Sequence, residues 1–362
     1  MATSTISVHA STSGLLLVSL VSLAAGGGVC RAAAASEAPA KGSAEAVKGK
    51  PAPEGGIDPD ATSFPYPFPV RFLPVTVERQ QVRIAFMDVA PTQRPNGRTV
   101  VLLHGKNFSG AYWEPTIRAL AGEGFRVVAP DQIGFGKSTK PAAFQFSFQV
   151  LAETTRAVMD SLHIDRFTVV GHSMGGMLAT RFALMFPERT EKLVLVNPIG
   201  LEDWKTVVPY RSIDQAYAEE LRATPETIRN YQRASYYAGR WEPEYEKLIA
   251  LQAGWTRHPE YPRVAWCSAL TSDMVFTQPV VYEFPRVRTP TLLIIGQRDR
   301  TAIGRAWAPK GVAATLGDYP ALGRKAAAAI PGAKLVEIEG AGHLPQVEAF
   351  DRYRSALVDF LR

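Results

Sequence analysis

Phe167-Thr-Val-Val-Gly-His-Ser-Met-Gly-Gly176 is the stretch that decides how this 362-residue chain is read. Its first four residues, aromatic and mostly β-branched, suit a strand buried inside a parallel sheet. Gly171-His-Ser-Met-Gly175 is a G-x-S-x-G pattern, and the Met177-Leu-Ala-Thr-Arg-Phe-Ala-Leu184 that follows reads as a helix. Strand, sharp turn and helix are the context in which this pattern carries a nucleophile. So tight a turn demands small residues at 171 and 175 and holds Ser173 in a strained backbone conformation. The hydroxyl then stands at the carboxyl edge of the sheet, where the N–H groups of a helix start face a developing oxyanion. Taken alone, five residues also fit an ordinary strand–helix turn, so the flanks must decide.

Working outward, strand signals occur at 75–77, 82–87, 99–103, 125–129, 193–196, 291–295 and 334–338. Helices are expected over 113–123, 150–162, 177–186 and about 347–361. This alternation predicts an α/β fold, a mostly parallel sheet with helices on both faces. Active sites in such sheets lie at the carboxyl ends of the strands. Between about 199 and 285 the rhythm breaks into helical segments, 212–223 and 225–237 among them, rich in large aromatics such as Trp204, Tyr236, Tyr237, Trp241, Trp255 and Trp266. A small insertion needs large side chains to build any core. The same residues would also suit a helical cap over an apolar pocket.

Composition excludes several classes. Hydrophobic content of 46% and charge of 20% describe a globular chain. The net charge of +6 comes from 40 basic residues scattered among 34 acidic ones, with no basic block to suit nucleic acid. Cys30 lies near the N-terminus, so Cys267, in apolar Val264-Ala-Trp-Cys-Ser-Ala-Leu270, would be the one thiol of a processed chain. That leaves no internal disulfide, and Cys267 reads as structural. With neither C-x-x-C nor H-E-x-x-H present, no metal is expected.

Residues 1–35 resemble a secretory leader. The apolar run 14–25 is short for a membrane span, and Ala32 to Ala35 offer cleavage sites. The departure is the absence of Lys or Arg before Gly14, which leaves an uncleaved anchor or a later start open. A secreted or periplasmic protein is expected, without stable membrane insertion once the leader is removed. Residues 36–63 have the composition of a flexible tether. Phe64-Pro-Tyr-Pro-Phe-Pro-Val70 begins the ordered domain, 64–362, as an extended segment.

Ser173 needs a general base, because a serine hydroxyl is a poor nucleophile unaided. Of six histidines, His9 lies in the leader, His104 shapes a turn, His163 suits a surface turn, His172 points away from the hydroxyl, and His258 belongs to the insertion. His343, after the last strand and between glycine and Leu-Pro, falls at the same sheet edge as Ser173 and is the candidate base. A carboxylate should orient its imidazole. Asp299, three residues past Gly296, fits that role. A salt bridge to Arg298 or Arg300 is its structural alternative, and Glu202, Asp203 and Asp318 are the fallback acids.

The order Ser173, Asp299, His343 resembles that of the α/β-hydrolase fold. From about 98 to 362 the chain is similar to capped members of that family. Gly171 to Gly176 resembles the nucleophile elbow of its cofactor-free esterases, lipase-like enzymes and carbon–carbon bond hydrolases, and the resemblance implies no cofactor. Val101-Leu-Leu-His-Gly105 resembles its oxyanion-hole strand, Asp131-Gln-Ile-Gly-Phe-Gly-Lys-Ser138 its D-x-x-G-x-G-x-S turn, and Gly340 to His343 its histidine loop. The resemblance implies oxyanion donors at the backbone N–H of Met174 and that of Lys106 or Asn107. Two departures stand out. Lys106-Asn107 replaces the usual Gly, Phe or Pro, and could draw a carboxylate-bearing substrate if the lysine does not simply face solvent. Residues 300–320, with Trp307, form a long irregular segment suited to a pocket rim or a partner contact. Epoxide hydrolases and haloalkane dehalogenases of this layout use aspartate where this chain has Ser173, so acyl transfer to serine is implied. The reading is a serine hydrolase for an ester or related acyl bond of an apolar or aromatic small molecule. The alternatives are a carbon–carbon hydrolase of vinylogous diketones and an inactive binding protein.

Overall fold

A computed structural model of the protein describes residues 55–362. The leader expected over 1–35 and the first part of the tether, 36–54, lie outside the described residues.

Eight strands form one sheet in the order β1-β2-β4-β3-β5-β6-β7-β8. They are β1 (Val70–Val77), β2 (Gln80–Val89), β3 (Thr99–Leu103), β4 (Arg126–Pro130), β5 (Phe167–His172), β6 (Thr190–Val196), β7 (Thr291–Gly296) and β8 (Lys334–Ile338). Strands β3 to β8 are mutually parallel. β2 pairs antiparallel with both β1 and β4, so it alone runs against the rest. The β1–β2 hairpin closes through Glu78 and Arg79, both at positive φ (48° and 62°), the handedness that a two-residue turn between twisted strands requires.

The central strands read as continuous apolar runs because both of their faces are buried. Alternate residues sort to opposite sides. Val101, Leu103, Val169, Leu193, Leu195, Leu293 and Ile295 belong to one core. Val100, Leu102, Val170, Val194, Val196, Leu292 and Ile294 belong to the other. The first is covered by α2 (Phe148–Ser161), α3 (Met174–Met185) and α9 (Tyr319–Ala329). The second is covered by α1 (Glu114–Gly122) and α11 (Phe350–Leu361). The three-layer architecture expected from the strand–helix alternation is therefore the one observed.

Between β6 and β7 the chain builds only helices: α4 (Ile213–Glu220), α5 (Pro225–Ser235), α6 (Glu246–Trp255), α7 (Tyr261–Thr277) and short 3-10 turns. Capping boxes at Ser212 and Thr224 start α4 and α5. Tyr237 stacks on Tyr245 at 4.0 Å, with Trp241 edge-on to both, so the aromatics do supply the insertion's own core.

Three expectations are corrected. The tether assigned to 36–63 ends earlier. Ile57 N–H donates to Gly254 O (3.0 Å), Trp255 Nε1–H donates to Asp58 O (3.1 Å), and Ala61 is buried. A Cβ on Gly254 would stand 2.2 Å from Ile57 Cδ1, so the absent side chain makes the seat. Lys137 Nζ grips Ala61 O from the other side at 2.6 Å, and the segment thus joins the insertion to the β4 turn. Second, residues 300–320 are not wholly irregular. They include α8 (Lys310–Thr315), and α9 starts at Tyr319 with Asp318 as its cap. Third, the last helix is two, α10 (Pro345–Glu348) and α11, broken at Ala349 where φ is −146°. Among the described residues, no helix is long and apolar enough to cross a membrane.

Candidate active site

The turn from β5 into α3 has the geometry that the glycine spacing demands. Ser173 sits at φ 57°, ψ −121°, outside the regions an L-residue prefers, which costs on the order of 1–3 kcal/mol. A Cβ at Gly171 would lie 2.0 Å from Gly175 O, and one at Gly175 would lie 2.2 Å from Leu103 O. Only glycine lets the elbow pass between its own helix and β3. The conformation is pinned from both sides. Ser173 N–H donates to Val196 O (3.2 Å), and Ser173 O accepts from Ile199 N–H (3.2 Å) and Gly176 N–H (2.9 Å).

His343 and Asp299 meet directly. The imidazole Nδ1–H donates to Asp299 Oδ2 at 2.6 Å, and both side chains are fully buried. Asp299 is held by two further donors, Asn197 Nδ2–H to Oδ2 (2.9 Å) and Thr301 N–H to Oδ1 (2.8 Å). Its carboxylate is therefore not paired with Arg298 or Arg300, whose guanidinium groups donate to backbone carbonyls. With Nδ1 carrying the proton, His343 Nε2 is an acceptor, and it is buried without a hydrogen-bond partner among the described residues. Ser173 stands at the end of β5, at the same carboxyl edge of the sheet, but no hydrogen bond joins it to that nitrogen. Such contacts commonly tighten only when substrate is bound.

Met174 is the first residue of α3, so its N–H has no acceptor one turn back. The turn after β3 lies against the elbow: a Cβ on Gly105 would stand 3.0 Å from Ser173 Cβ. The Phe108 N–H of this turn is taken by Gly105 O (3.1 Å). Lys106 and Asn107 follow Gly105 in this turn. Their side chains are committed elsewhere. Lys106 Nζ does not face solvent; it donates to Ser268 Oγ (2.7 Å) and Glu220 Oε1 (3.3 Å) of the insertion. Asn107 Nδ2 donates to Tyr236 OH at 2.6 Å.

The other histidines divide as their positions suggest. His104 Nδ1–H donates to Gly105 O (2.9 Å), while Nε2 accepts from Gln132 N–H (3.0 Å); burial lowers its pKa. His172 is the larger surprise. Its Nε2–H donates to His343 O (2.9 Å) and its Nδ1 accepts from Tyr112 OH (2.9 Å). Burial first, and the neighbouring His343 second, hold His172 well below the usual imidazole range. It braces the His343 backbone as a neutral ring. His258 Nδ1 accepts Glu260 N–H in a turn of the insertion (3.1 Å). The fallback acids serve local structure: Glu202 accepts from Trp204 and Gly317, Asp203 from Lys205 and Tyr282, and Asp318 caps α9. Trp307 packs toward the insertion, Nε1–H donating to Pro209 O (2.9 Å) beneath the Arg211 guanidinium.

Two residues of the site are not legible as such in the sequence, where Tyr236 is only one of the insertion's aromatics and Asn197 is unmarked. Asn197, at positive φ (36°) on the end of β6, bridges Gly296 N–H and Asp299. A polar residue closing an apolar strand at the carboxyl edge was the available clue. Tyr236 stacks on the His343 ring (4.5 Å between centroids), and its backbone O accepts His343 N–H at 2.7 Å. A Cβ on Gly342 would meet that same oxygen at 2.1 Å, which explains the glycine before the base. Arg298 and Thr301 reach the carbonyls of Tyr237, Ala238 and Ser235. Residues 235–238 of the insertion therefore touch both the loop that carries Asp299 and the loop that carries His343.

Glu348 supports the loop that carries His343. Its Oε1 accepts Gly342 N–H (2.9 Å) and Leu344 N–H (3.2 Å). Burial outweighs these donors and pushes the carboxyl up from 4.5 to about 7. A raised folded-state pKa means the native state binds the extra proton. Its contribution is complete below pH 4.5 and is lost as pH rises through about 7, a swing on the order of 3 kcal/mol. Glu348→Gln keeps an acceptor oxygen without the charge. The variant is expected to unfold at a higher temperature than the parent at pH 8 and to match it near pH 4. Equal melting temperatures at pH 8 would contradict this assignment.

Residues 98–350 match the profile of the alpha/beta hydrolase fold family. A crystal structure of a probable hydrolytic enzyme from Pseudomonas aeruginosa superposes with a TM-score of 0.83 and 51% identity, covering 86% of this chain and all of that one. A 2-hydroxy-6-oxo-6-phenylhexa-2,4-dienoate hydrolase of Burkholderia cepacia is 28% identical over 284 residues, which is 73% of this chain and 88% of the relative. A shorter match, 34% identical over 121 residues, covers 33% of this chain. It spans only 43% of a Yersinia enterocolitica protein whose name proposes carbamate hydrolysis.

Proposed function

The chain belongs to the α/β-hydrolase fold family, and from that premise we propose that it is a serine hydrolase cleaving an ester or related acyl bond of a small molecule. The observation that carries this reading is the buried His343 Nε2, free to accept a proton while Nδ1–H is held by Asp299. In the proposed cycle Ser173 Oγ attacks the carbonyl carbon and its proton passes to His343 Nε2. The oxyanion rests on the N–H of Met174 and that of Lys106 or Asn107. The C–O bond then breaks as His343 returns the proton to the leaving alkoxide. Water, deprotonated by the same nitrogen, then attacks the acyl carbon; its bond to Ser173 Oγ breaks, His343 returns the proton to Oγ, and the acid leaves. The helical insertion acts as a lid in this reading, bringing Tyr236 over the base and Phe108, Tyr112 and Tyr236 together as an aromatic wall. An apolar or aromatic substrate suits that wall.

The second reading, carbon–carbon cleavage of a vinylogous diketone, is favoured by relatives such as the Burkholderia hydrolase. Assaying a panel of p-nitrophenyl esters beside a ring-fission diketone separates the two. Ester turnover together with fluorophosphonate labelling of Ser173 is expected, and diketone turnover without ester turnover would overturn the first reading. Export is part of the proposal and rests on the 14–25 apolar run followed by Ala32 to Ala35. Amino-terminal sequencing of the protein from its native cell tests it: an intact Met1 would remove that part.

A further inference from the structure

Behind the oxyanion turn lies a small pocket of about 40 Å³ that opens to solvent. Phe135, Ile228, Trp255, Tyr261 and Val264 make its apolar walls, and Lys106, Glu220, Ser268 and Gln252 are its polar members. The pocket is lined by neither Ser173 nor His343, yet it is tied to both. Lys106 follows Gly105, which lies against Ser173. Gln252 Nε2–H donates to Asn107 Oδ1 (3.2 Å), and Asn107 holds the Tyr236 that stacks on His343.

The charges in this pocket cancel. Lys106 Nζ donates to Glu220 Oε1 (3.3 Å) and to Ser268 Oγ (2.7 Å), and Ser268 Oγ–H donates on to the same Glu220 oxygen (2.7 Å). The two side chains are mostly shielded, 14% and 29% exposed. The buried wall atom left without a partner among the described residues is Gln252 Oε1, an acceptor that also disfavours an anion. A lone lysine here would draw a carboxylate. Glu220 removes that attraction, because a second anion beside it would share one cation and face like charge.

We propose that the Lys106–Glu220 pair is a specificity element that restricts this subsite to uncharged substrate groups and rejects carboxylates. The proposal rests on the hydrolase reading and names the substrate class for the same site. Both ends of a substrate are covered by two matched pairs: p-nitrophenyl valerate against p-nitrophenyl hemisuccinate, and phenyl acetate against p-carboxyphenyl acetate. The quantity read is the ratio of kcat/KM for the charged over the uncharged member. Glu220→Gln leaves the lysine uncompensated and is expected to raise this ratio about tenfold in the pair whose variable end enters the pocket. Lys106→Met, which leaves the glutamate alone, is expected to lower it. The opposite signs keep the test decisive if one variant folds poorly.

Ratios unchanged by both substitutions, with esters still turned over, would overturn the proposal while leaving the hydrolase reading intact. The same pairs are also titrated calorimetrically into Ser173→Ala protein with and without Glu220→Gln. A shift in binding preference there, without any turnover by the parent, would fault the chemistry and uphold the pocket. No shift and no turnover would overturn both.

Discussion

Ser173→Ala is expected to lower ester turnover by roughly five to six orders of magnitude and to abolish fluorophosphonate labelling. The size of the loss follows from how the proposed machinery is coupled. Without Oγ, the proton-accepting nitrogen of His343 and its bond to Asp299 have nothing to activate, so the whole unit fails together. What remains is the binding surface and the backbone N–H groups at the start of α3. Stability should be nearly unaffected. Alanine keeps the Cβ, so the elbow retains its conformation at φ 57° and the backbone bonds to Val196 and Ile199 survive. The check is p-nitrophenyl ester kinetics beside thermal unfolding. Retained turnover in a folded variant would remove Ser173 from the nucleophile role.

Asp299→Asn is the second large effect, and it differs in kind. Three donors converge on this carboxylate: His343 Nδ1–H, Asn197 Nδ2–H and Thr301 N–H. A carboxylate offers two acceptor oxygens to them, whereas an amide offers one oxygen and adds a donor of its own. Whichever way the asparagine turns, its NH₂ faces a donor. If it faces His343, the imidazole must adopt the other tautomer, and Nε2 then carries the proton that it should accept. Turnover is expected to fall about ten-thousandfold, as it does when a triad acid becomes its amide. An unmatched donor pair in a fully buried site should also cost about 1–3 kcal/mol of stability. Steady-state kinetics and chemical denaturation read the two losses separately. A variant with full activity would show that Asp299 only stabilises the loop.

How much of this was legible in the chain depends on the range of the interaction. The central strands were legible because burial on both faces writes an unbroken apolar run, and β3 begins and ends where that run does. The elbow was legible because close packing at Gly171 and Gly175 is a local constraint. Asp299 and His343 were legible from their positions at strand ends, and a hydrogen bond joins them. Contacts between distant segments were not legible. Nothing in Lys106-Asn107 announces that these side chains are claimed by Glu220, Ser268 and Tyr236, more than a hundred residues away. Asn197 hides in Val-Asn-Pro for the same reason. Residues 57–61 looked like tether because their docking uses backbone groups and one isoleucine, which composition does not register. The break at Ala349 follows from Glu348 turning back to Gly342 and Leu344, a tertiary demand that helical periodicity cannot carry.

The carbonyl of Tyr236 has a mechanical consequence. It accepts the His343 N–H, and its neighbours in 235–238 accept from Arg298 and Thr301, so the insertion and the reaction centre share fastenings. A gate that swung open by lifting this turn would unfasten the base as it admitted substrate, and would stand idle until it shut. The turn is therefore the natural fulcrum, with travel left to the helices farther from it. Grafting a foreign insertion between β6 and β7 would have to bring such a fulcrum along, or leave the histidine unbraced.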